Sequence, residues 1–284
     1  MQRRFMQVDV FGSEPFTGNP LAVVHDADAL CTEQMMAFTR WENLSETAFL
    51  VSPRRREADY RVRIFTLAGE LPFAGHPTLG SCHSWLEAGG VPAQADTIIQ
   101  ECGAGLVEIR RQGDGVLAFR APPPIRMEPV DGEVLSAVSR VLGATAGSVQ
   151  EMHWVDNGPG WIGVLLADAD SVLSAEPDFS LSGQGGGLDI GLVGAYPEGS
   201  ECAFEVRALF TDDRGNARED PVTGSLNASV AQWLLGSGRA RAPYTVSQGT
   251  VLGRRGRVRI EEDPEGSVWV GGTVATAVDG RVVL

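Results

Sequence analysis

The chain has 284 residues and a formal net charge of −14, and all 23 of its basic residues are arginine. The lack of lysine excludes chemistry that needs an ε-amino group, such as a pyridoxal-phosphate Schiff base, a class I aldolase or a G-x-x-x-x-G-K-[ST] phosphate loop. The acidic balance also argues against nucleic acid as a partner, since binding it depends on cations that neutralise phosphates.

The four cysteines, at positions 31, 82, 102 and 202, fit neither a disulfide framework nor a zinc-binding spacing. This usage predicts a reduced, cytoplasmic setting. The first residues lead into an alternating strand pattern, and no apolar run approaches the length of a membrane span. We therefore expect a cytoplasmic protein that does not bind a membrane.

The predicted elements are mostly short strands, rich in Val, Ile, Leu, Phe or Tyr and partly alternating. In chain order the predicted strands cover residues 6–11, 20–25, 47–51, 60–66, 104–110, 115–120, 161–166, 203–210, 256–261 and 267–271. Thr32 is predicted to cap a surface helix, and another helix is expected near 132–142. Ala121-Pro122-Pro123-Pro124 suits neither a helix nor a central strand, so it is the candidate linker.

Three pairs of similar segments occur in the same order in the two halves of the chain. Residues 24–30 resemble 166–172, residues 64–66 resemble 209–211, and the form [His/Asp]-Pro-x-x-Gly-Ser occurs at 76–81 and 220–225. The shifts between the copies are 142, 145 and 144 residues. This near-constant shift predicts two copies of one topology, with coincidence among common dipeptides as the alternative.

The segments that follow the two [His/Asp]-Pro motifs have no ordinary solvent face. Residues 221–235 carry no charged side chain, and residues 77–86 carry none apart from His83. Proline at the first helical position predicts a helix start at each motif, with His76 or Asp220 at the cap. Because a helix without a polar face must be buried all round, we predict an α+β fold of two pseudo-symmetric domains, each a curved mixed β-sheet or barrel around a central α-helix.

The starts of these two helices are candidates for binding an anion, because the first turn of a helix offers unpaired N–H groups and a partial positive charge. Gly75, Gly80 and Gly224 would allow a ligand to approach the backbone closely. If both starts meet at one cleft, they would hold a small carboxylate between His76 and Asp220. The alternatives are that Asp220 is only an N-cap and that His76 is a satisfied polar residue near a turn.

Glu46 follows Asn43 by three residues, the spacing of a capping box, and it could equally be a solvated loop residue. However, the apolar stretch from Ala48 to Val51 leaves no room for a helix that starts at Asn43. A carboxylate that enters a strand from a loop is well placed for the mouth of a cleft. The residues alone leave these readings open.

Several strings of residues together resemble the phenazine-biosynthesis PhzF-like family, from Phe5 to the C-terminus. The strings are Gly18-Asn19-Pro20, Asn43-Leu44-Ser45-Glu46-Thr47, Leu71-Pro72-Phe73-Ala74-Gly75-His76-Pro77, Asn157-Gly158-Pro159 and Glu219-Asp220-Pro221-Val222-Thr223-Gly224-Ser225. The resemblance implies the diaminopimelate-epimerase-like fold, with one domain at 1–120 plus a C-terminal strand at about 273–284, a second domain at 121–272, and the active site in the cleft between them. It also implies a homodimer.

The resemblance implies roles for individual residues. Glu46 would be the acid/base, His76 and Asp220 would line the site as catalytic residues, and the substrate would be bound by Gly75, Gly224 and Ser225. The phenazine enzyme isomerises trans-2,3-dihydro-3-hydroxyanthranilate without a cofactor or metal. Related epimerases and proline racemases use two cysteines at the two helix starts, which this sequence lacks.

We therefore expect a cofactor-independent isomerase that moves a proton on a small, carboxylated substrate, with Glu46 as the acid/base. One alternative is an amino-acid racemase or epimerase that uses carboxylate and histidine in place of thiols. Another is a non-catalytic protein that binds a small carboxylate. Cys82, well inside the first predicted helix, is expected to pack in the core.

Overall fold

The computed structural model describes residues 1–113, 115–181, 187–211 and 216–284. The chain forms two compact units, one made of Met1–Arg120 with Val270–Leu284 and the other of Ala121–Trp269. Residues 121–124, which include three prolines, are in neither helix nor strand. Within the described residues, no helix has the length and apolar character needed to cross a membrane.

The described residues up to Arg120 contain two α-helices and eight strands. Helix α1 spans Thr32–Glu42 and helix α2 spans Gly75–Glu87. The strands are β1 (Gln2–Val10), β2 (Asn19–Val24), β3 (Glu46–Val51), β4 (Tyr60–Thr66), β5 (Glu70–Leu71), β6 (Thr97–Cys102), β7 (Gly105–Arg111) and β8 (Leu117–Arg120).

The described part of the chain after Arg120 adds three helices and ten strands. The helices are α3 (Gly132–Leu142), α4 (Ala169–Leu173) and α5 (Gly224–Gly236). The strands are β9 (Arg126–Pro129), β10 (Val149–Asp156), β11 (Ile162–Leu166), β12 (Ile190–Ala195), β13 (Phe204–Thr211), β14 (Ala217–Asp220), β15 (Tyr244–Gln248), β16 (Gly256–Glu262), β17 (Val268–Gly272) and β18 (Val274–Val283).

Both units follow the same order of strand pairing. In the first unit β1 and β2 are antiparallel, β2 and β3 parallel, β3 and β4 antiparallel, β4 and β6 parallel, and β6 and β7 antiparallel. In the second unit β10 to β13, then β15 and β16, repeat this sequence of pairings. An added strand pairs antiparallel with the first strand of each series, β18 with β1 and β9 with β10. The α+β fold class and the duplicated topology are thus confirmed.

The similar segments in the sequence fall mostly at matching places in the two units. Ile64-Phe65-Thr66 ends β4, and Leu209-Phe210-Thr211 ends β13. Ala27 lies in a short 3-10 helix between β2 and β3, and Ala169 begins α4, between β11 and β12. These two pairs of segments therefore do mark corresponding elements.

Each unit has a long helix that is buried among its own strands. Helix α2 contacts β1, β2, β3, β4, β6, β8 and β18, and helix α5 contacts β10 and β16. All residues from Gly75 to Cys82 are buried, as are most of those in α5. The missing polar face in the sequence is explained by this burial, and the prediction of a central helix in each unit is confirmed.

The shorter helices cover sheet faces. In the first unit α1 packs through Met35 and Phe38 on a cluster that includes Phe49 and Phe65. The predicted surface helix is present, but its N-cap is Cys31, and Thr32 is the first helical residue. In the second unit α3 and α4 pack through Val138 and Val172, respectively, on the buried faces of β11 and β12, and the helix expected near 132–142 is confirmed.

Candidate active site

Glu46 is the first residue of β3, directly after the turn that ends α1. Asn43 closes α1 in the left-handed conformation with φ 57°, and its N–H bonds to the carbonyl oxygen of Thr39. Asn43 therefore ends one helix rather than beginning another, and the capping-box reading of Asn43 and Glu46 is wrong. Pairing of Glu46 with Thr66 on β4 fixes the backbone at this strand end. The Glu46 side chain is 17% exposed, so the carboxyl group is mostly shielded from solvent.

His76 is the second residue of α2 and is 3% exposed. Burial lowers the pKa of His76 to about 3, against a smaller opposing effect from a hydrogen bond with the Pro20 backbone. Proline has no N–H, so the imidazole is the donor and the Pro20 carbonyl oxygen accepts. His76 is therefore a neutral imidazole at physiological pH.

The first unit brings Glu46 and His76 together. Nε2 of His76 lies 3.7 Å from Oε2 of Glu46. Within the described residues Nε2 has no hydrogen-bond partner, so the ring donates to Pro20 through Nδ1 and Nε2 carries a lone pair. Because the ring is neutral, this contact is an approach of two polar groups and not an ion pair.

Asp220 has a different position from the one expected. Helix α5 begins at Gly224 with Thr223 as its N-cap, so Asp220 is the last residue of β14 and Pro221 lies before the helix. In the first unit α2 begins at Gly75 with Ala74 as its N-cap, which puts His76 inside the first turn. The expectation of proline at the first helical position, with His76 or Asp220 at the cap, is therefore wrong for both helices.

Ser225, and not Asp220, is the counterpart of His76 in the second unit. Both are second residues of their helices, 149 positions apart, whereas the [His/Asp]-Pro motifs are 144 apart. The matched strings are Phe73-Ala74-Gly75-His76 and Val222-Thr223-Gly224-Ser225. These strings share an apolar residue, a small residue, glycine and a polar residue, and this pattern could have located both helix starts in the sequence.

The cap side chains of these two helices, those of Ala74 and Thr223, make no hydrogen bonds to the first helical turns. By contrast, Asp131 and Asp168 accept hydrogen bonds from first-turn N–H groups of α3 and α4. The starts of α2 and α5 thus retain backbone donors and the helix dipole for an anion.

The three glycines expected to admit a ligand differ in position. Gly75 and Gly224 are the first residues of α2 and α5. Gly80 lies a turn further into α2, where an added Cβ would be 2.5 Å from Cδ2 of Leu21 and 3.0 Å from Cγ2 of Val8. The expectation that Gly80 serves a ligand is therefore wrong, because it lets α2 pack closely on β1 and β2.

Two asparagines contact the second residues of the central helices. Nδ2 of Asn19, at the start of β2, lies 3.5 Å from Nδ1 of His76. Nδ2 of Asn157, directly after β10, donates to the carbonyl oxygen of Ser225 over 2.9 Å, and Nε1 of Trp161 donates to Oγ of Ser225 over 3.2 Å. Sequence reasoning assigned these asparagines no role, although both lie in strings quoted for the resemblance.

Glu219, next to Asp220, is used for anchoring. Its carboxylate accepts from Nη2 and Nε of Arg207 at 2.8 and 3.1 Å, with the arginine side chain 6% exposed. Nη1 of Arg207 also donates to the carbonyl oxygens of Val172 and Ala175. This bidentate pair fastens β14 to β13 and to the end of α4, immediately before the chain reaches Asp220.

The cysteines do not form a thiol pair at the helix starts. Cys82 is fully buried in α2, where burial raises its pKa to about 12. Burial also raises the pKa of Cys102 and Cys202, while Cys31 is exposed at the start of α1. The prediction that Cys82 packs in the core is confirmed.

The fold and the helix starts define a class of two-unit α+β proteins, in which each unit wraps a mixed sheet around a buried helix. The chain belongs to the phenazine biosynthesis-like protein family (PhzC-PhzF), whose profile matches residues 8–280.

The relatives match this chain from end to end. It is 36% identical to antisense-enhancing sequence 1 of Schizosaccharomyces pombe, covering 99% of this chain and 98% of that one. It is 31% identical to trans-2,3-dihydro-3-hydroxyanthranilate isomerase of Pseudomonas aeruginosa, covering 99% of each. The solved structure of a predicted epimerase from Pseudomonas aeruginosa aligns with a TM-score of 0.79 at 27% identity over 99% of each chain.

Proposed function

We propose that the protein is an isomerase that moves a proton within a small carboxylated substrate, with Glu46 as the acid/base. Membership of a family whose relatives are named isomerases and epimerases supports the reaction class. The observation that carries the assignment to Glu46 is its approach to His76, 3.7 Å between Oε2 and Nε2, beside the uncapped start of α2.

In this proposal Glu46 removes a proton from carbon and returns it to another atom of the substrate. The mostly shielded position of Glu46 restricts exchange of that proton with water. His76 contributes a fixed acceptor, since its neutral ring donates through Nδ1 to Pro20 and keeps Nε2 available. Nε2 can accept a hydrogen bond from protonated Glu46 or from a substrate N–H or O–H group and hold either in place.

The substrate carboxylate would be held by the backbone N–H groups of the helix starts. Gly75 at α2 and Gly224 and Ser225 at α5 offer such donors, and oriented donors also stabilise negative charge that develops as the proton moves. We propose Asp220 as a further catalytic residue of this reaction, and we propose that the reaction needs no cofactor.

The candidate substrate is trans-2,3-dihydro-3-hydroxyanthranilate, the compound in the name of the relative that is 31% identical to this chain. It is a small ring with a carboxylate, as the helix starts require. The strings that contain Glu46, His76 and Asp220 support the choice. A homodimer in the cytoplasm is the expected setting.

The test is Glu46→Gln, which keeps the size of the side chain and removes its acid/base function. Turnover of trans-2,3-dihydro-3-hydroxyanthranilate is expected to fall by about 10² to 10⁴, the range typical for the loss of a general acid/base. Glu33→Gln, which neutralises a fully exposed carboxylate on α1, is the matched control and should keep full turnover. If Glu46→Gln retains turnover within about tenfold, Glu46 is not the acid/base.

An amino-acid racemase or epimerase is the second candidate, favoured by the alignment with the predicted epimerase. The two reactions differ in whether solvent hydrogen enters the product. In D₂O, deuterium at Cα of a candidate amino acid would support the epimerase, whereas an isomerised dihydroanthranilate product that keeps substrate-derived hydrogen at its new C–H position would support the isomerase. A ligand that raises the melting temperature while no exchange occurs would indicate binding alone.

A further inference from the structure

Gln248 is a buried amide that joins the segment around Asp220 to the start of α5. It is the last residue of β15 and is fully buried. Oε1 accepts from the backbone N–H of Thr223 at 3.0 Å and from Nδ2 of Asn227 at 2.7 Å. Nε2 donates to the carbonyl oxygen of Asp220 at 3.1 Å and to Oγ1 of Thr223 at 3.0 Å. All four hydrogen-bonding positions of this side chain are therefore used.

The contacts of Gln248 continue to the carboxylate of Asp220. Oγ1 of Thr223 accepts from Gln248, so its own proton is directed elsewhere, and it donates to Oδ2 of Asp220 at 2.6 Å. The chain of hydrogen bonds thus runs from Nε2 through the Thr223 hydroxyl to Asp220. It orients the carboxylate, while the bond to the Asp220 carbonyl oxygen holds its backbone.

We infer that Gln248 is a positioning residue, which sets the Asp220 carboxylate and the first-turn N–H groups of α5 for the reaction. The catalytic consequence of this inference rests on the proposed function, whereas the claim that Gln248 holds Asp220 and Thr223 in place does not. A buried polar side chain with every bond satisfied specifies one arrangement, because any displacement leaves a donor or acceptor unpaired.

The first unit uses a glutamine at the corresponding place. Gln100 lies on β6, the counterpart of β15, and is also fully buried. Nε2 of Gln100 donates to Oγ1 of Thr78, the fourth residue of α2, just as Gln248 bonds the fourth residue of α5, Asn227. Tyr60 donates its hydroxyl to Oε1 of Gln100. The repeated arrangement shows that a strand glutamine anchors each central helix, and in the second unit it reaches Asp220 as well.

The chemistry of this position requires an amide. A glutamate would accept from Thr223 and Asn227, but its ionised second oxygen would face the carbonyl oxygen of Asp220 and the oxygen of Thr223. A methionine would fill similar space and make none of the four bonds. Gln248→Met therefore removes the anchoring while it keeps most of the packing volume.

The direct test is hydrogen exchange of the Thr223 amide, whose bond to Oε1 is lost in Gln248→Met. Loss of one hydrogen bond of about 1.4 kcal/mol accelerates exchange about tenfold, so at least that increase is expected at Thr223. Amides of α2 should be unchanged. Ser247→Ala is the control, because Ser247 is buried on the same strand but bonds Thr250 and Arg257 instead. Unchanged Thr223 exchange in folded Gln248→Met would overturn the inference.

A second pair of variants tests the hydroxyl link alone and is available even if Gln248→Met does not fold. Thr223→Val removes the link to Asp220, and Thr223→Ser restores it. Because the Thr223 side chain makes no cap bond, valine does not uncap α5. Faster exchange of the amide of residue 223, which donates to Oε1 of the same glutamine, is expected for the valine variant and not for the serine variant once intrinsic rates are corrected for. Equal exchange in the two variants would contradict the role of the hydroxyl.

Kinetics separate positioning from a merely structural effect. Misplacement of a catalytic group by about 1 Å lowers turnover on the order of a hundredfold, so kcat should fall about that much in Gln248→Met at temperatures where it is fully folded. The serine variant should recover the kcat lost in the valine variant. If the native protein does not turn over trans-2,3-dihydro-3-hydroxyanthranilate, the proposed function fails while the exchange data still decide the geometry. Full kcat in folded Gln248→Met would refute the catalytic consequence.

Discussion

Lowering the pH tests the description of His76 as a buried neutral imidazole. Burial lowers its pKa to about 3 in the folded protein, whereas the unfolded chain has the ordinary value near 6.5. Between these two pKa values the imidazole binds a proton in the unfolded chain but not in the folded protein. The contribution of His76 to the unfolding free energy is therefore complete above pH 6.5 and is lost as the pH falls below it. One pKa unit corresponds to about 1.4 kcal/mol, so lowering the pH from about 7 to about 5 removes about 2 kcal/mol of unfolding free energy through His76.

The assay is urea denaturation of the native protein and of His76→Gln at both pH values. Burial also lowers the pKa of His25 and His83, but these groups are present in both proteins and their contributions cancel in the difference. The stability of the native protein relative to the variant should therefore decrease by about 2 kcal/mol at the lower pH. A difference that is the same at both pH values would show that His76 is not held neutral by the fold.

Two further experiments test the packing of α2. Gly80→Ala places a Cβ 2.5 Å from Leu21 and should lower the unfolding free energy by about 1 to 3 kcal/mol, as overpacking typically does. Gly132→Ala, where nothing lies within 4 Å of the added Cβ, is the control and should be neutral. Urea midpoints compare the two variants, and an equal effect would contradict the packing role of Gly80. Burial raises the pKa of Cys82 to about 12, so Cys82 should resist an aromatic disulfide reagent that labels the exposed Cys31. Labelling of Cys82 in the folded protein would show that α2 is not buried.

The strands that alternate apolar and polar residues could be predicted from the sequence, because burial of one face leaves that pattern. Residues 60–66 and 256–261 are examples, and they match β4 and β16 closely. Strands β5, β6, β9, β10, β12, β14 and β15 were not predicted. Fully buried Gln100 and Gln248 interrupt the pattern in β6 and β15, and their burial depends on hydrogen bonds to another part of the chain. A short stretch of sequence does not show that these hydrogen bonds will form.

The helix starts could be predicted only approximately. Two central helices follow from the lack of charge in their segments, but their first residues do not follow from the prolines. Pro77 is the third residue of α2, whereas Pro221 lies two residues before the cap of α5. Proline is tolerated at both places, since neither needs its N–H for a helical hydrogen bond. The recurrence of proline therefore aligned His76 with Asp220, although the helices align His76 with Ser225.

This offset matters for the chemistry. A duplicated fold supplies two similar helix starts, but the side chains placed at them differ: His76 beside Glu46 in the first unit, and Ser225 bonded by Asn157 and Trp161 in the second. A racemase that removes a proton from one face of a carbon and adds one to the other uses two acid/base groups. In this chain the first copy places His76 beside Glu46, whereas the second copy offers a hydroxyl and backbone donors at its helix start, and its carboxylate, Asp220, lies at the end of β14 and accepts a hydrogen bond from Thr223. This difference between the copies is consistent with the proposal that Glu46 alone moves the proton between two atoms of the substrate.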